Sequence, residues 1–190
     1  FDYDKDGDLD MYLMNHNVFQ NQPNNIVMQN AAGTSVAADK LYRNDGVQPG
    51  GTHPIFKDVS VEAGINDNGY GLGICVSDVN QDGWPDVYVA NDFLSNDLLW
   101  LNDQKGHFTN RINRSLHHQS YNSMGMDIAD FNNDLLPDIA VLDMQPETNH
   151  RKKTMFAGTN PERYDMEQKI PNYQPQFTRN MLQLNHGNRL

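Results

Sequence analysis

Five aspartates crowd into residues 2–10, DYDKDGDLD, with Gly7 among them. At about 4 Å and an effective dielectric near 20, each like-charge pair costs roughly 4 kcal/mol. A folded loop of this kind either spreads into water or gathers around something positive. The pattern recurs as DVNQDGWPD at 78–86 and as DFNNDLLPD at 130–138. Aligned, the three stretches read D-x-[D/N]-x-D-[G/L]-x-x-D, and each runs straight into a short apolar segment.

Side chains at positions 1, 3 and 5 of such a loop converge if the backbone curls around one point. Glycine at position 6 permits the sharp turn, position 7 offers a carbonyl, and position 9 adds a last carboxylate. Six to eight oxygens at roughly 2.3–2.6 Å suit calcium better than octahedral, water-keeping magnesium. The expected ligands of the first loop are Asp2, Asp4, Asp6 and Asp10 with the Asp8 carbonyl. Those of the second are Asp78, Asn80, Asp82 and Asp86 with the Trp84 carbonyl. The third supplies Asp130, Asn132, Asp134 and Asp138 with the Leu136 carbonyl. Leu135 stands where glycine belongs, and a left-handed leucine costs about 1–2 kcal/mol, so the third site is expected to be the weakest of up to three. An EF-hand needs an acidic residue at position 12, where this chain has Leu13, Val89 and Val141.

No catalytic constellation accompanies these loops, and the chain is read as non-enzymatic. His117-His118 is an adjacent pair and the remaining histidines are scattered. Cys75 lies in an apolar strand and reads as a small packed residue. No glycine-rich phosphate cradle is present. Two positions are candidate ligand contacts. Asn91-Asp92 follows a buried strand, where capping the turn is the preferred reading. Arg151, Lys152 and Lys153 form the one basic cluster, which could dock an anionic glycan or an acidic partner, although a solvated loop is the simpler reading.

The elements that position the loops repeat with them. Leu9–Met14, Val87–Ala90 and Ile139–Leu142 are short, apolar on both faces and rich in Val, Ile and Tyr, as strands buried on two sides should be. GYGLGICVS (69–77) and SMGMDIA (123–129) precede the second and third loops, and DKLYRND, NDLLWLND and TRNMLQLNHG follow all three. A period near 50 built from four short strands indicates a propeller blade. The expected fold is all-β, a segment of a β-propeller. It divides into a partial blade at 1–68 with insertion 15–38, a complete blade at 69–116, and a partial blade at 117–190 with insertion 145–177. An open stack of hairpins is the alternative. Gly71, Gly73 and Gly125 are expected where inner strands crowd together.

The chain has 190 residues and a net charge of −11, which argues against a phosphate-binding surface and suits a collector of cations. No apolar stretch approaches the ~20 residues of a membrane span. The first residue is not methionine, so the chain reads as a segment of something longer.

These residues resemble the FG-GAP/VCBS-repeat β-propellers, the class that includes the integrin α-subunit head. Within it, GLGICVSDVNQDGWPDVYVANDF (71–93) followed by NDLLWLND resembles the ASPIC/UnbV-type bacterial proteins related to cartilage acidic protein, as does YQPQFTRNMLQLNHG (173–187). The resemblance implies calcium in the loops and a propeller of about seven blades. It also implies an extracellular, cell-surface or periplasmic location. The expected role is a non-catalytic calcium-binding module that presents loops for protein or glycan recognition, its partners including the remaining blades of the parent propeller. The alternative is an accessory domain of a larger secreted carbohydrate-active or hydrolytic enzyme.

Overall fold

The computed structural model describes residues 1–16, 33–92, 95–155, 165, 169 and 173–187. Most of the insertion at 15–38 and part of that at 145–177 lie outside the described residues. Three antiparallel sheets dominate. The first joins β1 (Met11–Leu13), β2 (Lys40–Val47) and β3 (Pro54–Asp58) in that order. The second has four strands in chain order, β4 (Gly71–Ser77), β5 (Asp86–Asn91), β6 (Leu98–Asn102) and β7 (Phe108–Asn110). A short helix α1 (Ile112–Ser115) follows, and then β8 (Gln119–Ser120). The third sheet sets β10 (Asp138–Asp143) between β9 (Ser123–Ala129) and β12 (Met181–Gln183). The sheets are blades of a β-propeller segment. Among the described residues the first blade is without a leading strand and the third without a fourth strand.

Alternation of side chains explains how the blades stack. Successive residues of a strand point to opposite faces. On β5 and β6, Val87, Val89, Leu98 and Trp100 therefore join Tyr3, Leu41, Val59 and Ile65 of the first blade in one core. Their neighbours Tyr88, Ala90, Leu99 and Leu101 join Ile139, Val141 and Met181 of the third blade in another. Every residue of β5 and β6 is buried, as expected of strands covered on both sides.

The first apolar run departs from that expectation. Only Met11–Leu13 is strand, and Met11 and Leu13 are exposed, because no sheet covers that face among the described residues. The crowded glycines are partly as expected. A Cβ on Gly71 would meet Met14 at 2.3 Å, and one on Gly73 would touch the Gly125 backbone at 3.4 Å, whereas Gly125 itself has open space.

The described residues of the second insertion include a helix and a short strand. His150–Lys153 sits within a helix, α2 (Asn149–Met155), whose N-terminal turn is capped as Arg151 N donates to Thr148 Oγ1 at 3.3 Å. Further along, β11 (Gln176–Phe177) pairs in parallel with β8. Among the described residues no helix is long and apolar enough to cross a membrane.

Candidate functional site

The three acidic loops share one backbone. Positions 4 and 6 have positive φ each time: Lys5 and Gly7 at 60° and 97°, Gln81 and Gly83 at 57° and 88°, Asn133 and Leu135 at 62° and 69°. Leu135 thus takes the glycine conformation, and the third loop keeps the shape of the others despite the strain. Side chains of the loop hold that shape. The first aspartate accepts the position-6 amide: Asp2 from Gly7 at 3.1 Å, Asp78 from Gly83 at 2.8 Å, Asp130 from Leu135 at 2.9 Å. The fifth accepts the position-7 amide: Asp6 from Asp8 at 2.9 Å, Asp82 from Trp84 at 2.8 Å, Asp134 from Leu136 at 2.9 Å.

The ninth residue has a job that its place in the motif does not reveal. Asp10, Asp86 and Asp138 are buried, and each uses both oxygens as a latch between strands. One oxygen accepts the amide of the second loop residue, Tyr3, Val79 or Phe131. The other accepts the amide of an asparagine in or just past the blade's third strand, Asn44, Asn102 or Asn185, at 2.8–2.9 Å. Those asparagines extend the network. Asn102 Nδ2 donates to the Tyr3 carbonyl of the preceding blade, and Asn185 Nδ2 does the same to Val79. The sequence carried a signal for this, an asparagine at the same place in DKLYRND, NDLLWLND and TRNMLQLNHG.

Position 3 separates the first loop from the others. In the second and third loops it is asparagine, and its amide closes the ring. Asn80 accepts the Asp82 amide and donates to Asp82 Oδ2 at 3.1 Å; Asn132 does the same with Asp134 at 2.9 Å. Asp4 has no proton to donate. Oxygens of Asp2, Asp4 and Asp10 lie within 4.8 Å of one another, and they form the one such carboxylate group among the described residues. Asp2 Oδ1 and Asp4 Oδ1 are buried without a hydrogen-bond partner. Oxygens bound to one calcium lie at most about 5 Å apart, so this set fits that ion. Asp6 and Asp8 stay exposed at its rim.

The electrostatics follow from the crowding. Burial first, then the charges of Asp6 and Asp10, push the Asp4 carboxyl up. Burial likewise raises Asp10, against the amides of Asn44 and Tyr3 that favour its charged form. Asp86 is pushed up to about 6, chiefly by burial. Trp84 lies beneath the Lys5 ammonium, 4.5 Å from its ring centroid, which links the first two loops by a cation–π contact.

At the other end of the strands a second repeated network appears. Asp97 accepts the Tyr88 hydroxyl and the Asn91 amide, each at 2.7 Å, and Asp39 repeats this with Tyr12 and Asn15 at 2.8 and 2.7 Å. Asn91 and Asp92 are buried there, and Asn91 Nδ2 donates to the Asn96 carbonyl. Asn91 therefore caps the turn. Arg151, Lys152 and Lys153 are exposed on α2.

The family model of the FG-GAP-like repeat matches the chain twice, over residues 2–89 and 78–141. No curated protein matches it.

Proposed function

The chain belongs to the FG-GAP-like repeat family, and from that premise we propose that it is a non-catalytic propeller module whose acidic loops bind calcium and whose exposed surface serves recognition. The observation that carries this reading is the first loop, where two buried carboxylate oxygens without hydrogen-bond partners meet a third carboxylate. Asp2, Asp4, Asp6 and Asp10, with the Asp8 carbonyl, would hold the ion. Its charge would offset the burial, and after it the neighbouring carboxylates, that raise Asp4 and Asp10. The second and third loops would bind more weakly, because Asn80 and Asn132 must give up their closure on Asp82 and Asp134 before offering oxygens. Millimolar calcium, as found outside cells, fills even weak sites, and an extracellular or periplasmic location fits this.

Further blades of the same kind are the natural neighbours of the two end sheets. Met11, Leu13 and Phe56 are 43–44% exposed, although they occupy the places that Val87, Val89 and Phe108 fill in the buried face of the middle blade. At the far end Leu142, Leu182 and Leu184 are exposed in the places of buried Ala90, Leu99 and Leu101.

Thermal melting with calcium and with chelator tests the metal reading. Binding to the folded state stabilises by RT ln(1 + [L]/Kd), about 2.7 kcal/mol at a hundredfold excess over Kd. For a chain of this size that corresponds to a rise in Tm of roughly 5–10 °C. An unchanged Tm at millimolar calcium would reject it.

A further inference from the structure

We propose that the outer edge of the middle blade carries a binding site for an anionic saccharide, formed by Arg111, Arg114 and Thr109. The three residues line an open cleft of about 500 Å³ together with Asn80, Leu101, Asn102 and Asp103. Fourteen residues of the chain are Lys or Arg, against a net charge of −11, so two guanidiniums on one cleft stand out. The ion pairs among the described residues are Lys40–Asp58, Arg43–Asp45 and Lys57–Glu62, and none of them uses Arg111 or Arg114.

Most polar atoms of the cleft walls are already committed, with the second oxygen of exposed Asp103 the exception. Asn80 is closed on Asp82, and Asn102 donates to the Tyr3 carbonyl and accepts the Gln104 amide. Asp103 Oδ1 accepts the amides of Lys105 and His107. The two arginines and the Thr109 hydroxyl remain to meet a ligand. Guanidinium forks match the planar or tetrahedral oxygens of carboxylate and sulfate groups, and a hydroxyl complements a sugar.

A peptide fits less well. β7 has three residues, and Phe108 already donates its amide to the Ala63 carbonyl, so no run of free backbone offers itself for strand addition. The only apolar lining residue, Leu101, is 9% exposed and gives no pocket for a side-chain anchor. Sulfate esters and uronate carboxylates share the required chemistry.

The inference rests on the reading of the module as a recognition surface, but not on calcium. The test is binding of the whole chain to dextran sulfate, an oligogalacturonate, neutral dextran, inorganic sulfate and poly-glutamate, with and without chelator. The saccharide polyanions should bind, and neutral dextran should not. Arg111→Gln/Arg114→Gln should weaken binding about tenfold or more, while Lys152→Gln/Lys153→Gln leaves it unchanged. Asp103→Asn keeps its amide acceptor, removes a negative charge from the cleft and should tighten binding. Circular dichroism verifies that each variant is folded. Three outcomes would overturn the proposal: binding indifferent to the arginine pair, inorganic sulfate competing as well as the saccharides, or poly-glutamate binding equally well. Persistence of binding in chelator separates this site from the calcium loops.

Discussion

The first acidic loop and its two later copies have the same backbone and the same latch, yet they differ in what the centre of the ring requires. Asn80 and Asn132 satisfy their loops internally, as each donates to the position-5 aspartate. Asp4 cannot, and two oxygens are left buried and unpartnered. Position 3 thus separates two self-closed turns from a ring that keeps carboxylate oxygens without partners. The comparison also separates two roles within the motif. Positions 1, 3 and 5 shape the ring, whereas position 9 holds two strands together.

The latch is the place where the largest effect is expected. Asp86→Ala strips the acceptor from two buried amides, those of Val79 and Asn102. Each orphaned donor costs about 1–3 kcal/mol, so denaturant unfolding should show a loss of roughly 3 kcal/mol or more even in chelator. Asp82→Ala removes an acceptor from the Trp84 amide and from the Asn80 and Gln104 side chains, none of them fully buried, and should cost less in chelator. Similar losses for the two variants would merge roles that the comparison keeps apart.

The opposite end of the blades gives a pH signature. Burial pushes Asp97 up to about 7, with the Asp143 charge adding to the effect and the Asn91, Tyr88 and Ser123 hydrogen bonds opposing it. A carboxyl raised in the folded state favours folding below its unfolded value, near 4, and that contribution disappears as pH rises to about 7. Asp97→Asn removes the titration. Relative to this variant, the natural chain should gain about 1 kcal/mol or more on going from pH 7.5 to pH 5, read as paired denaturation curves. A constant difference would show that Asp97 does not titrate in this window.

Exchanging position 3 sharpens the comparison between loops. Asn80→Asp should raise the affinity of the second loop for calcium about tenfold, the order expected for a single well-placed charge. Luminescence of bound terbium, excited through nearby Trp84, follows that loop. An unchanged affinity would mean that position 3 is not what distinguishes the loops.

The smallest effect belongs to Leu135→Gly. It should relieve about 1 kcal/mol of left-handed strain, visible as a modest rise in Tm. The exposed leucine side chain loses little packing when it is removed.

The repeat was legible because period and alternation are properties of the sequence: Val87, Val89, Leu98 and Trp100 point one way and their neighbours the other. The glycine-marked strands before the second and third loops were legible for the same reason. The latch was hidden, since an aspartate at position 9 looks like a ligand until the amides of Asn44, Asn102 and Asn185 are seen on its oxygens. The exposure of Met11 and Leu13 was hidden too, because a strand's own residues do not say whether a sheet covers them. The tyrosine–aspartate pairs join residues far apart in sequence, such as Tyr12 and Asp39, and no local pattern announces them. Arg111 and Arg114 leave no local signal for a similar reason: three residues apart, they make no run, and only the folded blade places them on one cleft.

The most direct measurement is anomalous diffraction from crystals grown in millimolar calcium. The expected result is a peak between Asp2, Asp4 and Asp10, absent from crystals of Asp4→Asn grown in the same solution. A first loop with no peak at that calcium concentration, or an equal peak after the substitution, would contradict the assignment.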